Sequence, residues 1–99
     1  VTNDDGSTIT FSLANSNLHK VTLGGNRTLA VSGGSTGQIF TLILQQDGTG
    51  SRTVTWWSGI KWAGGSAPTL STAINVYDIF TFIYDGTNYF GSVAGQGYA

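Results

Sequence analysis

Three tryptophans form the most ligand-like feature of the chain, because Trp56, Trp57 and Trp62 fall within seven residues of one another. Flat indole faces bind sugar rings and also anchor protein interfaces. Neighbouring side chains alternate along a strand, so if Trp56 points inward, Trp57 points outward. The candidates for a ligand or interface surface are therefore Trp57, Trp62, Lys61 and Tyr98. The competing interpretation is that all three tryptophans close the ends of a small core.

Nucleophilic catalysis would need a serine or threonine, an imidazole base and an orienting acid. His19 is the only imidazole in the chain, and it lies on an alternating segment beside Val21 with no acidic residue close in sequence. We interpret His19 as an ordinary strand residue. The sequence predicts no catalytic residue and no enzymatic activity.

The acidic residues are better explained as turn residues than as a catalytic pair. Asp47 and Asp85 each begin an Asp-Gly-Thr triplet, where an aspartate side chain commonly hydrogen-bonds the backbone two residues on. Asp78 differs because it lies in an apolar segment. Facing inward, it would need a partner such as Arg27 or Arg52, so we interpret it either as a member of a structural ion pair or as an exposed edge residue.

Two short motifs look like ligand loops but lack the defining groups. Residues 4–6 (DDG) lack the spaced oxygen ligands and closing glutamate of a calcium loop. Residues 47–51 (DGTGS) lack the lysine and the following helix of a phosphate loop. No metal and no cofactor is expected.

The composition indicates a neutral, hydrogen-bonding surface. Charged residues make up 9% of the chain and the net charge is -1, whereas soluble domains typically contain about 25% charged residues. This balance argues against nucleic-acid and anionic-membrane partners. Charge-poor monomers have weak colloidal protection, so we infer that identical neighbours cover much of the surface. Without cysteine, the chain can form no disulfide or thiolate site.

Internal repetition indicates related β-hairpins. Residues 38–43 (QIFTLI) return as residues 78–83 (DIFTFI), and an Asp-Gly-Thr triplet comes after each copy. Residues 25–31 (GNRTLAV) are echoed by residues 50–56 (GSRTVTW). The sequence therefore predicts a module assembled from similar hairpins.

Period-two alternation of apolar residues predicts an all-β fold. About seven strands are expected, at residues 8–13, 19–23, 27–32, 38–46, 52–57, 74–84 and 89–94. We expect 52–57 to pair with 38–46 as a hairpin, and 58–72 to be a loop. The predicted architecture is a single domain, residues 1–99, forming an antiparallel β-sandwich of jelly-roll type. Residues 1–7 would form an extension or linker arm and residues 95–99 a tail.

The two long strands are apolar on both faces. Alternation assigns Phe40 and its neighbours at i+2 to one face and Ile39 and Ile43 to the other. The second face needs a cover, and self-association through Ile39, Ile43, Ile79 and Ile83 would supply one. The alternative is that Ile39 and Ile43 pack under the tryptophans of the same chain.

Several motifs together resemble a module of structural proteins in tailed bacteriophages. They are residues 21–29 (VTLGGNRTL), 36–42 (TGQIFTL), 46–56 (QDGTGSRTVTW), 61–70 (KWAGGSAPTL) and 78–82 (DIFTF). The resemblance covers about residues 8–95. It implies a tail fibre, head fibre or other virion-surface component, virion-bound or extracellular, and it transfers no catalytic residue.

The expected function is a non-enzymatic structural module of a multimeric virion fibre or surface assembly, as a homo-oligomer such as a trimer, with an adhesive role toward a cell-surface glycan. One alternative is the subunit of an open filament, in which residues 1–7 or 91–99 pair with the sheet edge of the next copy. Another is a carbohydrate-binding module that uses Trp57, Trp62 and Tyr98.

Overall fold

The computed structural model describes residues 1–99, which form eight strands and one 3-10 turn. The strands are β1 (Thr8–Ser12), β2 (Leu18–Leu23), β3 (Arg27–Ser32), β4 (Ile39–Gln46), β5 (Val54–Thr55), β6 (Ile60–Trp62), β7 (Tyr77–Tyr84) and β8 (Tyr89–Tyr98). The 3-10 turn at Ala63–Gly65 comes directly after β6. No helix is long and apolar enough to cross a bilayer.

The strands form two sheets. One has three strands in the order β1-β3-β5, and the other has five strands in the order β2-β4-β7-β8-β6. From β1 to β5 the chain alternates between the sheets, and each strand lies parallel to the one a full turn earlier, as β1 with β3 and β2 with β4 show. The first half of the domain therefore winds in the manner of a parallel β-helix with two sheets, and we call this part of the domain the coil.

The second half closes the five-stranded sheet with antiparallel pairing. β7 pairs with β4 and with β8, and the β7–β8 pairing shifts register near Ile79. β6 pairs in parallel with the start of β8. The predicted hairpin turn at residues 85–88 is confirmed, because Asp85 N–H donates to the Asn88 carbonyl between β7 and β8.

The prediction that residues 52–57 form a hairpin with residues 38–46 is wrong. Their strand, β5, lies in the other sheet and is parallel to β3, with Arg27 opposite Val54. The expected all-antiparallel pairing is also wrong, since only the β4–β7 and β7–β8 pairs are antiparallel. The all-β class and the two sheets are confirmed, and jelly-roll connectivity is not.

Three boundaries also differ from expectation. The segment 58–72, expected to be a loop, contains β6 and the 3-10 turn. The expected tail belongs to β8, which continues to Tyr98. The expected N-terminal arm begins with residues 1–3 hydrogen-bonded beside β2, where Thr2 lies opposite Lys20. We call this short extended segment a rung.

One apolar core lies between the two sheets. Ile9, Phe11 and Leu29 contribute from the three-stranded sheet. The five-stranded sheet supplies three of the four core phenylalanines, Phe40, Phe80 and Phe82, of which Phe40 and Phe82 stack with ring centroids 5.1 Å apart. This packing fixes which face of β4 and β7 is buried, and hence which face is left outside.

Candidate functional site: the outer face of the five-stranded sheet

Strand alternation divides β4 and β7 into a buried and an exposed face. The inner face carries the pair Phe40 and Phe82, which lie directly opposite one another. One residue away, Ile39 lies opposite Ile83, and further along Ile43 lies opposite Ile79. Side chains at successive positions point to opposite sides of a sheet, so these four isoleucines share the outer face.

The outer face carries an exposed apolar surface, which we call the outer apolar patch. Its members are Leu18, Ile39, Ile43, Ile79, Ile83 and Phe90. Ile39 is 57% exposed and Ile83 48% exposed, whereas Ile43 and Ile79 are half-buried. All four isoleucines singled out from the sequence thus lie together, and the domain itself does not enclose them.

Phe90 and Leu18 are members of the patch that the sequence reasoning missed. Phe90 is 46% exposed and lies opposite Ile83 on β8. The confirmed hairpin turn at residues 85–88 could have identified it, because the turn fixes the register of β8 on β7. Leu18 is 48% exposed and neighbours Thr41 on the edge strand β2. Its exposure depends on the parallel pairing of β2, which no local signal revealed.

One row of side chains crosses four strands at the end of this face. Ile39, Ile83, Phe90 and Lys61 lie at successive register positions on β4, β7, β8 and β6. Lys61, Phe90 and Ile83 also line an open groove of about 470 Å³ together with Trp62 and Ser92. The groove therefore combines an aromatic ring, a cation and a hydroxyl at the rim of the patch.

The charge on this face is positive and sparse. Lys20 lies on β2 beside Ile43, and its Nζ is 5.2 Å from the ring centre of Tyr77. The two arginines lie elsewhere, each paired with an aspartate. An apolar patch with a cation at each side can be buried against another surface without desolvating a carboxylate of its own.

The tryptophans pack inward instead of forming a ligand platform. Trp56 contacts Trp62 and Phe80 with centroid distances of 5.0 and 5.1 Å, and Trp57 lies 5.0 Å from Phe82. The expectation that Trp57 points away from the core is wrong. β5 ends at Thr55, so strand alternation no longer applies at residues 56 and 57.

Of the four ligand candidates, Lys61 and Trp62 line the same groove, and Trp57 and Tyr98 do not join them there. Trp57 and Trp62 are half-buried against the core, whereas Lys61 is exposed on the opposite side of β6 from Trp62. Tyr98 is 49% exposed at the far end of β8, opposite Tyr77. The tryptophans also do not cover Ile39 and Ile43, which lie on the other face of the sheet.

His19 is a buried structural residue. It is 1% exposed, its Nε2 lies 3.0 Å from the Ser16 carbonyl, and its Nδ1 lies 3.1 Å from the Asn3 amide. The Ser16 carbonyl can accept only from Nε2–H, and the Asn3 amide donates to Nδ1. Because both ring nitrogens are engaged, the ring ties the N-terminal segment to β2.

Asp78 neither pairs with Arg27 or Arg52 nor lies at an exposed edge, so both predictions are wrong. The carboxylate is 3% exposed and accepts hydrogen bonds from the backbone N–H groups of Ser71 and Gly97 at 2.7 and 2.9 Å. The Gln96 side-chain amide donates a third bond at 3.1 Å. Asp78 therefore joins the loop before β7 to the end of β8, near the register shift between these two strands.

Each of the two arginines forms an ion pair with an aspartate other than Asp78. Arg27 donates two bonds to Asp5, at 2.8 and 2.7 Å, and Arg52 donates two to Asp47, at 3.2 and 3.0 Å. The hydrogen bond from Arg52, together with a weaker effect of the Gly50 N–H, lowers the pKa of Asp47 to about 2. The hydrogen bond from Arg27 likewise lowers the pKa of Asp5. These acids stabilise turns.

Comparison with known protein families identifies the family of this chain. Residues 5–89 match the family described as "Putative phage tail fibre C-terminal domain". The chain belongs to this family. The match spans the coil and the β7–β8 turn, so it includes most of the outer apolar patch. No curated protein and no solved structure matched the chain.

Membership makes this tail fibre domain a structural component of a virion, located at the virion surface. The predicted resemblance to phage fibre modules is thereby confirmed. This tail fibre domain leaves the outer apolar patch outside its core.

Proposed function

We propose that this domain is a non-enzymatic structural module of a multimeric fibre, and that identical copies associate through the outer apolar patch. Its single strongest support is the exposed cross-strand pair of Ile39 and Ile83 on the adjacent strands β4 and β7 of the five-stranded sheet. Contiguous exposed apolar surface of this kind marks protein interaction sites. Tail fibre membership supports an assembly in which such contacts are needed.

The physical basis is burial of apolar area. Removing a valine-sized or larger apolar side chain from water contributes about 1.5–3 kcal/mol when burial is complete. Ile39, Ile83 and Phe90 are each about half exposed in the isolated domain. A neighbour that covers the row would complete the burial of all three.

Strand donation is less well supported. Backbone bonds join Asn3 N–H to the Lys20 carbonyl and Lys20 N–H to the Val1 carbonyl. Residues 91–98 are held in β8 beside β7. Both proposed donor segments therefore pair within their own chain and would first have to be released.

Glycan adhesion would use the groove of Lys61, Phe90 and Ser92, which adjoins the same patch. Stacking of a sugar on an aromatic ring is a common binding mode. Because the two roles share residues, one experiment must measure mass and glycan binding on the same variants.

The test is analytical ultracentrifugation of the domain and of the double variant Ile39→Thr with Ile83→Thr. Threonine is β-branched and suits a strand, so the fold should survive. The parent is expected to sediment as a multiple of the 10.4 kDa chain. Losing two apolar contacts of about 1 kcal/mol each should weaken association about 30-fold.

The matched control is Ile74→Thr. Ile74 is 56% exposed, like Ile39, but lies outside the sheet face between the loop and β7. Its replacement should leave the mass unchanged. A parent that remains at 10.4 kDa at every concentration contradicts the proposal, as does equal weakening by the control. Loss of glycan-array binding with no change in mass would assign the surface to adhesion.

A further inference from the structure

The four sheet edges of the domain are protected to different degrees. β5 has two residues and β6 has three, so these edges are short. β2 is covered by the rung at residues 1–3. β1 is the exception: it runs for five residues, and its single partner strand is β3.

The free side of β1 presents unpaired backbone groups. Thr28 N–H donates to the Ser7 carbonyl, and Leu13 N–H donates to the Ser32 carbonyl. In a parallel ladder alternate residues bond to the same neighbour, so residues 7, 9, 11 and 13 face β3. The N–H and carbonyl of Thr10, at the centre of β1, therefore point outward.

β1 also lacks the features that normally protect an edge. Natural edge strands carry lysine, proline or a bulge, or are very short. β1 reads TITFS, contains neither charge nor proline, and pairs with β3 in unbroken register from Thr8 to Ser12. Such an edge is suited to receiving another strand.

The coil indicates which strand would fit. Residues 1–3 occupy a rung beside β2 just as β2 lies beside β4, with Thr2 opposite Lys20 and Leu18 opposite Thr41. The chain alternates between sheets at each step. The position that precedes residues 1–3 in this alternation is therefore the vacant one beside β1.

We propose that the edge of β1 accepts a parallel strand from fibre polypeptide placed directly before residue 1. The family description sets these domains at the C-terminal part of tail fibre proteins, where other polypeptide precedes them. The added strand would carry alternating apolar and polar residues, because β1 itself buries Ile9 and Phe11 and exposes Thr8 and Thr10. This inference depends on the family and not on the outer apolar patch.

The experiment adds one coil rung to the domain. Val1 corresponds to His19 in register, because Thr2 pairs with Lys20. A copy of residues 8–18 fused directly before Val1 therefore has the natural spacing. The control fusion carries serine in place of the copied Ile9, Phe11 and Leu13. Amide hydrogen exchange at Thr10 is measured by NMR in both fusions and in the parent.

The proposal predicts that exchange at Thr10 slows at least about ten-fold in the first fusion and is unchanged in the control. Thr10→Pro removes the outward N–H, and proline is tolerated at an edge position that does not bond inward. In the fusion, this substitution should abolish the gain in melting temperature that the extra rung provides. Unaltered exchange at Thr10 in a folded fusion overturns the proposal. Concentration-dependent protection of Thr10 in the unextended parent also overturns it, because a second copy would then be the occupant.

Discussion

The two repeats, residues 38–43 and 78–83 with the Asp-Gly-Thr triplet after each, are similar in sequence, but the chain takes a different direction after each one. After β7 and the turn at Asp85, the chain reverses into β8 in the same sheet. After β4 and the turn at Asp47, it crosses to the other sheet and enters β5 parallel to β3. Two copies of one motif thus produce a hairpin in one case and a coil step in the other.

The first residues of the two turns behave alike. Asp85 Oδ1 accepts the N–H groups of Thr87 and Asn88 at 2.9 and 2.7 Å. Asp47 Oδ1 accepts those of Thr49 and Gly50, each at 3.0 Å. The Asp-Gly-Thr triplet therefore encodes a local turn in both places, but it does not encode the direction that the chain takes after the turn.

The fourth position separates the turns. Asn88 accepts a hydrogen bond from Asp85 N–H and leads directly into β8. Its counterpart Gly50 has a φ of 74°, and the next residue, Ser51, has a φ of 57° and donates to the Thr72 carbonyl. Two successive left-handed residues turn the chain out of the sheet. The comparison indicates that Gly50 decides the crossover.

Replacing Gly50 by asparagine should give the largest effect, because it makes the first turn read like the second. A Cβ at Gly50 would lie 2.6 Å from the Thr72 carbonyl oxygen, which is backbone and cannot move aside cheaply. We expect the free energy of unfolding to fall by about 3 kcal/mol or more. Urea denaturation followed by tryptophan fluorescence measures the change.

Gly48→Ala is the matched control in the same turn. A Cβ at Gly48 meets nothing within 4 Å, so the free energy of unfolding should change by no more than about 0.5 kcal/mol. A Gly50→Asn variant as stable as this control would show that the crossover is set elsewhere.

The first residues of the repeats, Gln38 and Asp78, offer the second comparison. Both side chains hydrogen-bond residues that are distant in sequence, but Asp78 is a buried carboxylate whereas Gln38 is half-buried. Asp78→Ala leaves the N–H groups of Ser71 and Gly97 without their acceptor. We expect this change to lower the free energy of unfolding by about 2–3 kcal/mol. Gln38→Ala should cost about 1 kcal/mol. Equal losses in thermal or urea unfolding would contradict the difference in burial.

The sequence was sufficient to identify the faces of the long strands. Alternation separates Ile39 and Ile43 from the Phe40 face of the strand because period-two alternation is a local property of extended backbone, but it does not show whether the same chain covers that second face. The hairpin after β7 was predictable for the same reason, since its turn is encoded within residues 85–88. Features that depend on neighbouring residues alone could be derived without coordinates.

The parallel coil could not be derived in this way. The residue that redirects the chain, Gly50, does so through a close approach to Thr72, which is remote in sequence. β6 was missed because it is three residues long and lies among glycine and serine. The packing of Trp57 was missed because β5 ends directly before the tryptophan pair. Each error arose where tertiary contacts, and not local periodicity, set the conformation.

The smallest expected effect concerns the charge that distinguishes the two turns. The hydrogen bond from Arg52 is the main reason that the pKa of Asp47 is lowered, whereas the N–H groups of Asn88 and Thr87 lower the pKa of Asp85. A carboxyl whose folded pKa lies below its unfolded value contributes stability above about pH 4 and loses it as the pH falls toward the folded value. Asp47 should therefore lose its contribution to stability between about pH 4 and about pH 2.

Arg52→Ala should lower the melting temperature modestly at about pH 6, and this deficit in melting temperature should shrink as the pH approaches about 2. Lys61→Ala, which removes an exposed lysine from β6, serves as the control and should show no such pH dependence. A deficit of constant size across this pH range would mean that Arg52 acts by packing on the turn and not by its charge, and the two turns would then differ only at Gly50.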